Sequence, residues 1–232
     1  SRGLGDVYKR QYLGGTFNDL PHSLVVNDNE ELFVYGTTAS NDFPITAGAY
    51  DATFGGGLNV TVTYVIDFPN GSDIYVSKFD AGGGSLLGST FVGGSQNDGL
   101  NTGLQTSYNY GDHARGEIIL DGNGDPIVAS CTFSSDFPAT AGALQGSLSG
   151  DQDGCLFKLN SDLTALIWST FIGGSNEDGA YSVTLDNSNN LFVCGGTRST
   201  NFPTTAGSLN PGYNGGDTDG WVARLNNTAT TM

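Results

Sequence analysis

Residues 171 to 178 read FIGGSNED, and the phrase has two relatives, YLGGTFND at 12 to 19 and FVGGSQND at 91 to 98. Each joins a large apolar residue to a glycine pair and an acidic end. Nothing in it has the make-up of a catalytic motif, so its return is a matter of architecture. Three more phrases recur. The first is FPITAGAY (43–50), FPATAGAL (137–144) and FPTTAGSL (202–209). The second is SDIYVSKFD (72–80), QDGCLFKLN (152–160) and TDGWVARLN (218–226). The third is ELFVYGTT (31–38), NLFVCGGT (190–197) and a divergent middle copy, DPIVASCT (125–132). Four echoes in one fixed order mark an internal repeat.

Spacing defines the unit. Gly15 to Pro44 and Gly174 to Pro203 are both 29 residues, and Pro138 to Pro203 is 65. Two departures stand out. Pro44 to Asp73 is 29 residues where Pro138 to Asp153 is 15, and Gly94 to Pro138 is 44 where the other copies have 29. The surpluses place insertions at about 51–70 and 99–113. Within each unit, short apolar or alternating runs bounded by Gly, Asn and Asp read as strands. They are Ser23–Val26, Leu32–Gly36, Ile74–Phe79 and Leu86–Val92 in the first unit, and Glu117–Leu120, Ile127–Cys131, Leu156–Leu159 and Leu166–Ile172 in the second. The third offers Tyr181–Leu185, Leu191–Cys194 and Trp221–Leu225, and Val7–Leu13 reads as one more strand of fourth-strand type. No stretch carries a helical stripe; TAGA is long enough for one turn only.

Tandem four-stranded units predict an all-β chain, a β-propeller built from four-stranded antiparallel blades. The units would span about 14–93, 94–173 and 174–232, the last completed by strand 7–13 or by further chain. About three blade equivalents fall short of the usual four. The expectation is therefore a section of a larger propeller, with a compact three-unit arrangement as the alternative.

Composition bounds the role. Glycine numbers 36 of 232 residues, roughly twice the usual share of about 7%, which predicts turns with positive φ. Lys plus Arg is 8 against 24 Asp plus Glu, a formal net charge of -16. That balance excludes the basic footprint of a nucleic-acid binder. No 18-residue apolar run is present, so no direct membrane insertion is expected. Cys131, Cys155 and Cys194 have no metal-ligand spacing and read as small buried side chains, with one disulfide and one free thiol as the alternative.

The phrases at Phe137–Leu144, Asp153–Asn160, Phe171–Asp178 and Asn190–Thr197 resemble the bacterial SBBP-type β-propeller repeat, at Gly14, Gly15, Pro44, Lys78, Pro138, Lys158, Pro203 and Arg224 among other positions. Ile74 and the DPIVASCT segment depart from it. The resemblance implies a secreted or cell-surface bacterial location, in some members with gliding or type IX secretion. It implies a non-enzymatic module for adhesion, assembly or protein–protein interaction, and it carries no shared catalytic residues. The alternative is a glycan-binding, lectin-like module or a carbohydrate-active enzyme. Expected partners are a protein or a surface glycan, with further blades from the same precursor or another chain.

Both insertions lie in connections that leave a four-stranded meander on one face. The expected partner-binding residues are therefore the loop aromatics Phe54, Tyr64 and Phe68 of the first insertion, and Tyr108, Tyr110 and His113 of the second. NVTVTYVI (59–66) has the alternation of an extra strand. DGNGD (121–125) spaces Asp121, Asn123 and Asp125 as an oxygen-ligand loop does, but Thr132 stands where the later acidic ligand belongs. Calcium is the one ion this loop would suit, and no other cofactor is expected. Only His22 and His113 are available as imidazole bases; the sequence gives neither a partner for acid–base work.

Overall fold

The computed structural model describes residues 10–62, 66–102 and 112–232. The first unit contributes β1 (Asp19–Val26), β2 (Leu32–Thr38), a short β3 (Val60–Val62) and β4 (Ile66–Phe68), β5 (Asp73–Phe79) and β6 (Leu86–Val92). The second has β7 (Glu117–Leu120), β8 (Pro126–Thr132), β9 (Asp153–Leu159) and β10 (Leu166–Ile172), and the third has β11 (Asp178–Leu185), β12 (Leu191–Thr197) and β13 (Asp219–Leu225). Pairing gives sheets of order β1-β2-β5-β6, β10-β9-β8-β7 and β11-β12-β13, plus the β3–β4 hairpin. A 3₁₀ turn at Asp112–Ala114 precedes β7. The strand of fourth-strand type expected at Val7–Leu13 lies outside the described residues up to position 9, and residues 10–13 carry no strand.

Local chemistry sets the hairpins. Between β1 and β2 the Asn27 Oδ1 accepts from the backbone N–H groups of Asn29 (3.0 Å) and Glu31 (2.9 Å). Asp121 does the same for Asn123 and Asp125, and Asp186 for Ser188 and Asn190. The tight turn needs one left-handed residue, filled by Glu30, Gly124 and Asn189. In the TAG phrases Ala49 N–H donates to the Thr46 carbonyl, and Gly48, Gly142 and Gly207 sit at positive φ. That is a β-turn, not the helical turn the tetrad had room for.

Period-2 alternation sends successive side chains to opposite faces, and consecutive sheets pack face to face. Phe33, Tyr35, Ile74 and Val76 of the first sheet meet Ile118, Val128, Cys155 and Phe157 of the second in one buried core. Ile127, Ala129 and Leu156 leave the opposite face of the second sheet to meet Val183, Val193 and Trp221 of the third. Each large apolar side chain buried in these seams contributes roughly 1.5–3 kcal/mol. Between Lys78 and Phe79 and between Leu166 and Trp168 the ladders shift register, bending the outer strands.

The all-β expectation holds; the β-propeller does not. The described residues form four separate sheets of four, two, four and three strands, none closed or curled into a ring. The physical reason lies at the two ends of the row. A ring requires the last sheet to cover the first. Here Leu24 and Val26 on the first sheet are 64% and 53% exposed, and Val222 on the third is 79% exposed. Neither face has found the other.

The insertion near 51–70 carries the β3–β4 hairpin, so the alternating run does form a strand at Val60–Val62. Val62 and Phe68 pack with Leu100, at the start of the second insertion, and with Ala39 in a separate small core.

Candidate functional site

The glycine pair is a clamp for the start of the next unit. Gly15, Gly94 and Gly174 donate their N–H to the Oδ2 of Asp19, Asp98 and Asp178 at 2.8, 2.7 and 2.6 Å. The Ser40, Ser134 and Ser199 hydroxyls donate to the same oxygens at 3.3, 3.0 and 2.7 Å. Thr132 Oγ1 donates to the other oxygen of Asp98 and in turn accepts from the Ser134 N–H at 2.9 Å. None of Gly14, Gly15, Gly93, Gly94, Gly173 and Gly174 has positive φ. What they supply is space: a Cβ on Gly94 would stand 2.5 Å from Ser134 Cβ and from Asp136 Oδ1. Burial of Asp98 raises its carboxyl well above the ordinary range, against the pull of these donors.

The fourth strand of each complete sheet lies in a slot. On one side it pairs with the third strand, Tyr75 opposite Phe91 and Cys155 opposite Phe171. On the other it is gripped by the TAG phrase. Thr46 N–H donates to the Ser89 carbonyl (3.2 Å), and Ser89 N–H returns to Thr46 Oγ1 (2.9 Å). Asp51 N–H donates to Thr90 Oγ1 (2.9 Å), and Phe91 N–H to the Asp51 carbonyl (3.0 Å). The second sheet repeats all four bonds through Thr140, Ser169, Gln145, Thr170 and Phe171, at 3.1, 3.0, 3.0 and 3.1 Å. One strand is thus held on both edges.

In the third sheet the gripping phrase is present, and among the described residues no fourth strand lies beside it. By the repeat register Thr205 stands where Thr46 and Thr140 stand, and Asn210 where Asp51 and Gln145 stand. Among the described residues β13 has only β12 beside it, so its outer edge is open. Between that edge and the TAG phrase runs a cleft of about 780 Å³, lined by Thr205, Leu209, Tyr213, Trp221, Val222 and Ala223 among others. Leu209 is 96% exposed, whereas its counterparts Tyr50 and Leu144 are partly buried against the cores. Trp221 is buried: it stacks on Phe202 with centroids 5.0 Å apart, and its Nε1 donates to the Gly196 carbonyl at 3.1 Å. Gly195 makes room for it, since a Cβ there would lie 2.7 Å from the indole ring.

The residues singled out from sequence fall elsewhere. Phe54 is half-buried and meets Phe91 edge-on at 5.8 Å. Phe68 is fully buried in the small core around Leu100. His113 is half-buried, with its Nδ1 sealed from solvent and unpartnered. Tyr64, Tyr108 and Tyr110 lie outside the described residues. Asp121 and Asp125 face the Lys158 ammonium at 2.6 and 3.2 Å, while Asn123 donates its backbone N–H to Asp121. Burial pushes Asp121 up, but Lys158 and the two backbone N–H donors outweigh it and hold the carboxyl below its usual range. The two carboxylates therefore already face one positive charge from the protein. Among the described residues no three His, Cys, Asp or Glu side chains gather into a metal-holding group.

His22 packs edge-on against Tyr35 at 5.1 Å, and burial without a partner lowers its pKa to about 3. Cys131 and Cys155 are buried and unbridged, and Cys194 is half-buried. No helix of the described residues is long and apolar enough to cross a membrane.

Sequence reasoning missed the threonine grip, yet a signal was present. The Thr-Ala-Gly triplet is identical in all three copies, and the Ser-Thr pair it holds occurs in GSTFV and WSTFI. With the propeller gone, the adhesion or assembly role expected of a propeller module loses its basis, and so does the lectin or carbohydrate-active alternative. Secretion, cell adhesion and type IX association gain no support. Comparison with protein-family models and with curated proteins finds no match for this chain, so the likeness to the SBBP repeat rests on the quoted phrases alone.

Proposed function

We propose that this chain is a non-enzymatic strand-binding module that takes up an extended segment of a partner protein beside β13. One observation carries the reading. The slot recurs in the repeat register of all three units, it is filled by β6 and β10 in two sheets through the same four bonds, and among the described residues the third copy holds no strand. An added strand would satisfy the open edge of β13 and supply affinity through its backbone, while the flanking pockets select side chains. The fitting sequence is the one the other slots hold: a small hydroxyl pair, then an aromatic and a β-branched residue, as in LLGSTFVGG at 86–94. The aromatic belongs opposite Trp221, as Phe91 lies opposite Tyr75.

The test is titration of the synthetic peptide LLGSTFVGG, which has no tryptophan, against the intrinsic fluorescence of the protein. Saturable change with LLGSTFVGG and none with a scrambled peptide is expected. Thr205→Val removes the hydroxyl acceptor and weakens binding by roughly 2- to 12-fold, the worth of one net hydrogen bond. Equal response to the scrambled peptide, or no change in affinity in Thr205→Val, would sink the reading.

A further inference from the structure

The two exposed ends of the row of sheets correspond, residue for residue, to the surfaces that are buried inside it. On the leading face of the first sheet Leu24 is 64% exposed, whereas its counterparts Ile118 and Val183 are each 2% exposed. Val26 lies beside it at 53%, where Leu120 and Leu185 pack into the two seams. On the trailing face of the third sheet Val222 is 79% exposed, where Val76 and Leu156 are sealed completely. Phe192 shows 38%, against 0% for Phe33 and 3% for Ile127. Arg224 follows the same rule: its side chain is 60% exposed, and those of Lys78 and Lys158 are 10% and 12%.

From this correspondence we infer that a second copy of the chain docks head to tail, the leading face of its first sheet on the trailing face of the third sheet. The molecule contains this junction twice already, between the first and second sheets and between the second and third. The proposed contact continues that series in the same register, with Leu24 and Val26 covering Phe192 and Val222 as Ile118 and Leu120 cover Phe33 and Val76.

A backbone contact fits the same register. In both internal junctions the TAG phrase of one sheet reaches the hairpin of the next: Tyr50 N–H donates to the Leu163 carbonyl at 2.9 Å, and Leu144 N–H to the Ala229 carbonyl at 3.0 Å. Leu163 and Ala229 are held at positive φ, 59° and 50°, and the equivalent residue of the first sheet, Gly83, sits at 61°. Leu209 N–H is the donor left over at one end and the Gly83 carbonyl the acceptor at the other. Head-to-tail docking brings them together. Such an interface is heterologous, so each copy keeps one face free and association extends with concentration. It rests on faces, not on the β13 slot, and stands whether or not the slot binds a strand.

Complementation of two variants tests it. Leu24→Glu spoils the leading face alone and Val222→Glu the trailing face alone; both positions are exposed, so the fold survives, with circular dichroism as the check. By sedimentation velocity the wild type should gain mass with concentration. Each variant should stay monomeric, with self-association weakened at least about tenfold. An equimolar mixture should form a two-chain species that grows no further, because the Leu24→Glu copy keeps a good trailing face and the Val222→Glu copy a good leading face. The double variant, with both faces spoiled, should pair with neither single variant and stay monomeric. A wild type that stays monomeric at the highest soluble concentration would overturn the inference. So would a mixture that fails to pair, or association lost in only one of the two variants.

Discussion

At the scale of single residues the repeat is written in space and in buried polarity. Where the third strand carries a large ring, Tyr75 or Trp221, the facing second-strand residue is Gly36 or Gly195, and a Cβ at Gly36 would come within 2.5 Å of the Tyr75 hydroxyl. Where the third strand carries Cys155, the second strand can afford Ser130, whose hydroxyl bonds Tyr35 at 2.7 Å. The clamp glycines obey the same logic. Gly94→Ala should cost about 1–3 kcal/mol in chemical denaturation through overpacking against Ser134 and Asp136. Gly122→Ala, with nothing within 4 Å, should be near neutral. Composition alone pointed to positive φ for the glycine excess; that holds at Gly48, Gly142 and Gly207 and fails at the pairs. Sequence shows that a glycine recurs, but whether it serves rotation or close approach depends on neighbours 40 residues away.

Buried carboxylates set a pH dependence at the same scale. Asp73 accepts from the Gly55 and Gly56 N–H groups at 2.7 and 2.8 Å, yet burial dominates and raises its pKa to about 7. The folded state then holds the proton more tightly than the unfolded chain. Its contribution is fully present below the unfolded value of about 3.9 and is lost as pH rises toward 7. The expected result is that Asp73→Asn gains on the wild type between pH 4 and pH 8, by up to about 4 kcal/mol. His22 acts in the opposite sense, its support present above about 6.5 and lost as pH falls toward 3. It is common to both proteins, so their difference isolates Asp73. A gap that does not change with pH would contradict the assignment.

At the scale of elements, strands were the most legible feature, because alternation and the Asn/Asp turns report directly on pairing. Each of the eleven runs read as main-sheet strands lies in a strand, and those that begin at Asp19, Asp73, Asp153, Asp178 and Asp219 start one to four residues earlier than the apolar run. The loops were less legible. Aromatic loop residues read as partner-facing surface, but Phe68 is buried and Phe54 supports the face of the first sheet through Phe91. A hydrophobic loop residue has two fates, and sequence does not say whether a pocket such as that formed by Val62 and Leu100 awaits it. Phe68→Ala should therefore speed amide exchange in β3 and β4, losing about 3–5 kcal/mol of local packing. Exchange in β8 and β9 should stay as it is. Uniform acceleration across all sheets would show the small core to be coupled to the large ones.

At the scale of the whole molecule, the repeat count was readable and closure was not. Three copies of a phrase say that three similar units exist; whether the last covers the first depends on angles between sheets that no phrase encodes. The structure leaves the row open, with Leu24 and Val26 bare at one end and Phe192 and Val222 at the other. Among the described residues the third sheet also has no strand in the place beside β13. That open place is the feature on which the functional reading turns, and residue-resolved hydrogen exchange tests it directly. The outward amides of β13 should exchange at least about 100-fold faster than their counterparts on β5 and β9, which are bonded to β6 and β10. Equal protection of all three strands in the free protein would mean that the edge is already occupied, and the account would fail.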